Sequence, residues 1–244
     1  MTLAVPITLI TAIELVGVFA NALLGAAVAR RHRLDPIGFI VLAVVSALGG
    51  GLIRDVCLQV GTPLALADWR YLATAFVAAG VAFLIRFEGP RWERIYPFVD
   101  AVGLGLWAAS GASKALEHHI HTLPALCLGL VTAVGGGAVR EVLVGERPSI
   151  LSGQSMYATS ALVASLVVAL LHSPFPRADT TGGAIAGTAF VLLARWRGWG
   201  LPTQVRLPID HVVGQADHLS GEQKREAIRE GAREDEANDR DDRG

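Results

Sequence analysis

The chain has 244 residues, of which 52% are hydrophobic and 18% charged, with a formal net charge of −1; its mean hydropathy is +0.46. An ordinary soluble domain is about a quarter charged, so the composition excludes one and points to an all-α bundle of membrane spans. The near-zero net charge averages an apolar body and a charged tail, and nothing in it marks a nucleic-acid partner.

Seven apolar segments follow one another, at 3–29, 37–60, 69–85, 98–116, 123–144, 155–171 and 182–194. A membrane-crossing helix needs about 20 mostly apolar residues, which most of them supply; the third and sixth are marginal and the seventh is short. The runs are unbroken and lack the alternation of a membrane barrel, so seven transmembrane helices are predicted. No basic region or small-residue cleavage site opens the chain, so the first segment reads as a span and not as a removed signal. It carries Glu14 and runs into Arg30-Arg31-His32-Arg33, a basic cluster that fixes topology. The second holds Gly49-Gly50-Gly51, Arg54, Asp55 and Cys57; the fourth holds Asp100 and, near its end, Lys114. His118, His119 and His121 follow, with no zinc-like spacing, and read as a pH-sensitive external loop. The fifth repeats the motif as Gly135-Gly136-Gly137, Arg140 and Glu141, and carries Cys127. Both cysteines read as small packing residues. Gly183 and Gly187 in the seventh form a small-xxx-small pair suited to helix contact. The charged tail from 201 to 244 is predicted to be a frayed helix or disordered. Loops after the first, third, fifth and seventh segments are rich in arginine, whereas the opposite side has only Arg70, Lys114 and Arg177. The basic side is normally cytoplasmic, so the predicted protein is a multi-pass inner-membrane protein with its N-terminus outside and its C-terminus in the cytoplasm.

A shift of 86 positions brings the two motifs into register. Gly49 to Gly51 fall on Gly135 to Gly137, Arg54 on Arg140, Asp55 on Glu141, Glu14 on Asp100 and Tyr71 on Tyr157, while Pro63 and Pro148 agree after a one-residue gap. The predicted organisation is a first three-helix repeat over 1–88, a second over 89–173, a seventh helix over 174–200 and the tail over 201–244. Three spans per copy is an odd number, so the second copy is inverted about an axis in the membrane plane.

Three glycines in mid-span weaken a helix by roughly 1 kcal/mol each. They permit a kink or break, or the close approach of another backbone. A break would free carbonyls for a cation on one side and N–H groups for an anion on the other. Charges inside a span mark functional sites more often than structural ones, which makes Arg54, Asp55, Arg140, Glu141, Lys114, Glu14 and Asp100 the candidate pathway or gating charges. Neighbouring residues point to different helix faces, so the pair need not form one local salt bridge, and Glu14 or Asp100 is a candidate to neutralise an arginine across the repeats. Lys114 reads either as an interfacial anchor or as a mobile cation that plugs a cavity. No catalytic motif, resident metal site or cofactor motif is present, and an enzyme is not predicted.

The doubled Gly-Gly-Gly-x-x-Arg-acid motif with its downstream proline resembles that of the prokaryotic trimeric intracellular cation channels, the TRIC family, over about the first 200 residues. Bacterial members of that family are also described as glycine transporters. The resemblance implies a homotrimer of seven-span protomers in the lipid bilayer. It implies a pore in each protomer, lined by helices kinked at Gly49 to Gly51 and Gly135 to Gly137, that conducts potassium, sodium and other monovalent cations. Lys114 is similar to the lysine of the family's Gly-x-x-Lys-Ala pattern. The alternative is a secondary transporter of a small zwitterion such as glycine, whose carboxylate an arginine would hold.

Overall fold

In a computed structural model the described residues are 9–59, 61–85, 89–151, 156–175 and 178–199. The tail from 201 onward, like Arg86 and Arg177, lies outside them. Among the described residues the regular structure is entirely helical: α1 (Leu9–Arg31), α2 (Pro36–Leu58), the single turn α3 (Leu64–Ala67), α4 (Trp69–Leu84), α5 (Pro90–Glu117), α6 (Thr122–Leu143), a 3-10 turn (Ser149–Leu151), α7 (Tyr157–His172) and α8 (Asp179–Trp196).

Local chemistry sets the ends. Asp35 caps α2 by accepting the Gly38 N–H at 2.6 Å, and Pro36 opens the helix where a missing N–H costs nothing. Asp68 caps α4 by accepting from the Arg70 N–H at 3.0 Å. Arg30 closes the other end of α4, donating to the Ala82 and Phe83 carbonyls at 2.8 and 3.0 Å. The fourth apolar segment is the tail end of a longer helix: α5 begins at Pro90 and passes through Pro97. Its first turns carry Arg91, Glu93 and Arg94, which hide them from a reading based on apolar runs.

α1, α2 and α6 are long and apolar enough to cross a membrane, while α4 and α7 are shorter apolar helices. α1 packs on α2, α4 and α5; α2 packs on α6; α5 also packs on α6, α7 and α8. The core is built mainly of alanine, with glycine and serine at the helix crossings. Small side chains of this kind let backbones approach where apolar burial alone gives no drive. Gly183 and Gly187 serve such a contact within the chain: a Cβ on Gly183 would lie 2.8 Å from the Ala164 carbonyl of α7, and one on Gly187 would lie 2.6 Å from the Ala164 Cβ. Cys57 and Cys127 are exposed, contrary to the packing role expected of them. Arg54 and Asp55 take the inner face of α2, and Ala125 and Gly129 that of α6, which turns each cysteine outward.

Candidate functional site

α2 and α6 cross at their glycines. A Cβ on Gly50 would sit 2.1 Å from the Thr132 carbonyl oxygen, and one on Gly136 would sit 2.5 Å from that of Ser46. Ser46 and Thr132 are themselves 86 positions apart, so the two contacts are equivalent. Both helices keep α-helical bonding through the triplets. The break with freed carbonyls is therefore not formed in this structure, and a close backbone approach is found at Gly50 and Gly136. The bond lost by leaving the helix is kept, and the missing Cβ is used for contact.

Beyond the crossing lies the first charged cluster. Arg54 is 1% exposed and donates three hydrogen bonds of 2.8 Å, to Asp55 Oδ1, Glu14 Oε1 and Ser110 Oγ. Glu14 also accepts from Ser110 Oγ at 2.5 Å and from the Tyr71 hydroxyl. Asp55 Oδ1 accepts from Lys114 Nζ at 2.8 Å, and its Oδ2 from the Leu64 N–H at 2.8 Å. Two cations and two anions thus neutralise one another in a buried knot joining α1, α2 and α5. The Arg54 guanidinium also stands 5.9 Å from the Trp107 ring centroid, and Trp107 occupies the space a side chain on Gly17 or Gly51 would meet.

The second cluster occupies the positions 86 residues on and is built differently. Arg140 is 6% exposed, and its bonds are longer: 3.2 Å to Ser46 Oγ and 3.4 Å to Glu141 Oε1. Its Nε has no partner. Asp100 accepts instead from Arg195 Nη2 of α8 at 2.8 Å and from the Tyr157 hydroxyl at 2.9 Å. Glu141 Oε2 accepts the Ser149 N–H at 2.6 Å, as Asp55 accepts that of Leu64. A cavity of about 180 Å³ opens here, lined by Tyr96, Asp100, Arg140, Glu141, Tyr157 and Arg195 among others.

The expected pairing is corrected in two respects. Each arginine does bond its adjacent acid, because a long guanidinium reaches across the angle between neighbouring helix positions. Glu14 neutralises the arginine of its own copy, and Asp100 is claimed by Arg195. Contacts between the 1–88 and 89–173 segments include Lys114 with Asp55, Ser110 with Arg54 and Glu14, and Arg140 with Ser46. Lys114, in the last turn of α5, is thus ion-paired to Asp55 and only partly exposed. His118, His119 and His121 are all exposed, and among the described residues no His, Cys, Asp and Glu group is arranged to hold a metal. A histidine contact outside that loop joins His172 Nδ1 to the buried Asp179 Oδ2 at 2.7 Å. Outside the helices that cross, Arg70 beside Asp68 holds that carboxyl below its usual range. Sequence reasoning missed Ser46, Ser110, Tyr96 and Arg195. Tyr71 and Tyr157 were visible only as markers of the 86-residue offset.

The family model for glycine transporters matches residues 11–86 and 97–173. A UPF0126 membrane protein of Deinococcus radiodurans is 37% identical over 202 residues, covering 81% of this chain and 90% of the relative. The UPF0126 inner membrane protein YadS of Escherichia coli is 36% identical over 166 residues, 67% and 79% of the two chains. Among solved structures, a TRIC cation channel superposes with a TM-score of 0.73 at 30% identity, over 82% of this chain and 99% of the other. The TRIC orthologue of Rhodobacter sphaeroides superposes with a TM-score of 0.70 at 31% identity, over 78% and 97%. The chain is a multi-pass membrane protein, and it belongs to the glycine-transporter family of bacterial membrane proteins, whose solved structural relatives are the TRIC cation channels.

Proposed function

We propose that the protein is a monovalent cation channel, permeable to potassium and sodium, working as a homotrimer in the inner membrane with one pore in each protomer. The observation that carries this reading is the pair of charged clusters flanking the crossing of α2 and α6, on a fold shared with cation channels at a TM-score of 0.73. Seven spans are α1, α2, α4, α5, α6, α7 and α8, and α1–α4 and α5–α7 form the two inverted repeats. Equivalent hydrogen bonds support that organisation: Tyr71 with Glu14 and Tyr157 with Asp100, then Asp55 with the Leu64 N–H and Glu141 with the Ser149 N–H.

In this reading the pore runs along α2 and α6, which bend at Gly49 to Gly51 and Gly135 to Gly137 when it opens. The Arg54 knot closes one half of the path, with Lys114 pinning α5 to Asp55, and the cavity at Arg140 is the vestibule of the other half. Inversion places the knot toward the outside and the vestibule toward the cytoplasm, beside the arginine-rich loops. Arg54 is held by Glu14 and Asp55, which keeps it from repelling a permeant cation.

The test is purified protein in planar bilayers. Unitary potassium currents are expected. Saturable glycine uptake in liposomes without unitary currents would instead establish the zwitterion transporter.

A further inference from the structure

We propose that the cavity beside Arg140 is a binding site for a small monocarboxylate, which takes the place that Glu14 fills beside Arg54. The two arginines are 86 positions apart and stand at equivalent places around one helix crossing. Around Arg54 the fork is saturated by three bonds of 2.8 Å, and the bond from outside its own helix and to an anion goes to the Glu14 carboxylate. Around Arg140 the equivalent carboxylate, Asp100, makes its bonds to Arg195 and Tyr157. That leaves Arg140 with two long contacts, an unpartnered Nε and an open space of about 180 Å³. One copy of the unit thus shows what the other copy lacks.

The chemistry of the walls narrows the ligand. A buried guanidinium in need of an acceptor is matched by the two coplanar oxygens of a carboxylate. Arg195 and Tyr96 line the same space and add donors, while the Tyr157 hydroxyl is already given to Asp100. Asp100 and Glu141 also line it, and their charge disfavours a dianion such as phosphate. An ammonium group on the same ligand would meet those acids, so an amino acid is accommodated but the carboxylate is the anchor. The site is independent of the channel reading, because binding is measured without flux.

The experiment uses the full chain in detergent micelles, titrated with sodium acetate at constant ionic strength against sodium chloride, and followed by tryptophan fluorescence on heating. Glycine and inorganic phosphate are run as parallel arms, and radiolabelled acetate gives the affinity directly. Acetate should raise Tm saturably where chloride does not, and phosphate should have less effect. Arg140→Gln should weaken acetate binding at least tenfold, and Arg70→Gln, at a partly exposed arginine outside both clusters, should leave it unchanged. Ala138→Leu fills the cavity while keeping the guanidinium, and it decides the matter if Arg140→Gln fails to fold. The proposal is overturned by acetate acting no differently from chloride, by phosphate saturating where acetate does not, or by Ala138→Leu binding acetate as the unaltered protein does. Potassium current from the same preparation separates the two readings: current without binding removes the site alone, and binding without current removes the channel alone.

Discussion

The Arg54 and Arg140 clusters start from the same residue types at the same spacing and end with different connections. Around Arg54 every long polar arm converges: Glu14 from α1, Asp55 from α2, Ser110 and Lys114 from α5. Around Arg140 α8 intervenes, because its Arg195 takes Asp100 away. A duplicated motif therefore does not guarantee a duplicated site; the partners outside the motif decide whether a buried cation is sealed or left open.

The largest expected effect tests that difference directly. Arg54→Met strands Glu14 and Asp55 in the interior and should cost about 3–5 kcal/mol. Arg140→Met breaks only two long contacts and should cost about 1 kcal/mol. Chemical unfolding in micelles measures both, and equal losses would show that Arg140 is as fully engaged as Arg54. The crossing gives the next contrast. Gly50→Ala drives a methyl group onto the Thr132 carbonyl, and displacing the backbone should cost about 1–3 kcal/mol. Gly50→Leu brings a larger side chain to the same contact and should cost more than Gly50→Ala in the same unfolding measurement. Gly137→Ala meets nothing closer than Arg140 Nη2 at 3.6 Å, and should be neutral or stabilise by up to about 1 kcal/mol. Lys114→Gln frees Asp55 from α5 without removing Arg54. If the knot closes the path, single-channel records should show open probability rising roughly fivefold, the equivalent of about 1 kcal/mol for a partly exposed pair; a fall would remove Lys114 from the closed state. The smallest effect is a reference point outside both clusters. Asp68→Ala removes the α4 cap and should cost about 1 kcal/mol at neutral pH. The Asp68 carboxyl is held low by Arg70, so its contribution is present above the ordinary carboxylate range. It fades as pH falls through the lowered value, and below that the variant and the parent should unfold alike.

The helices were legible because a span is a long apolar run, and each of the seven apolar segments overlaps a helix among the described residues. Legibility failed where a helix begins in charge, as α5 does at Pro90, and where a single turn such as α3 has no pattern to show. The glycine triplets announced themselves, but a glycine offers both backbone freedom and the absence of a side chain. Only the partner helix shows which of the two is used, and here the Thr132 and Ser46 carbonyls show that it is the absence. The charges were legible as a set, yet their pairing was not. Side-chain reach lets Arg54 bond its own neighbour, and Arg195 sits in a basic stretch that topology alone accounts for. Ser110 lay within a run of small residues that resembles plain packing.

The acid of each motif has two grips. Asp55 holds Arg54 with one oxygen and the backbone of Leu64 with the other, and Glu141 does the same for Arg140 and Ser149. One rigid carboxylate thus couples the bundle interior to the first turn of chain beyond each proline. An arginine that shifts must pull the loop with it or surrender the bond. Whatever seizes those loops from outside the membrane, an antibody fragment or a neighbouring protein, gains mechanical purchase on the guanidinium within, and proteolytic cutting near Pro63 or Pro148 would report its position without any electrode.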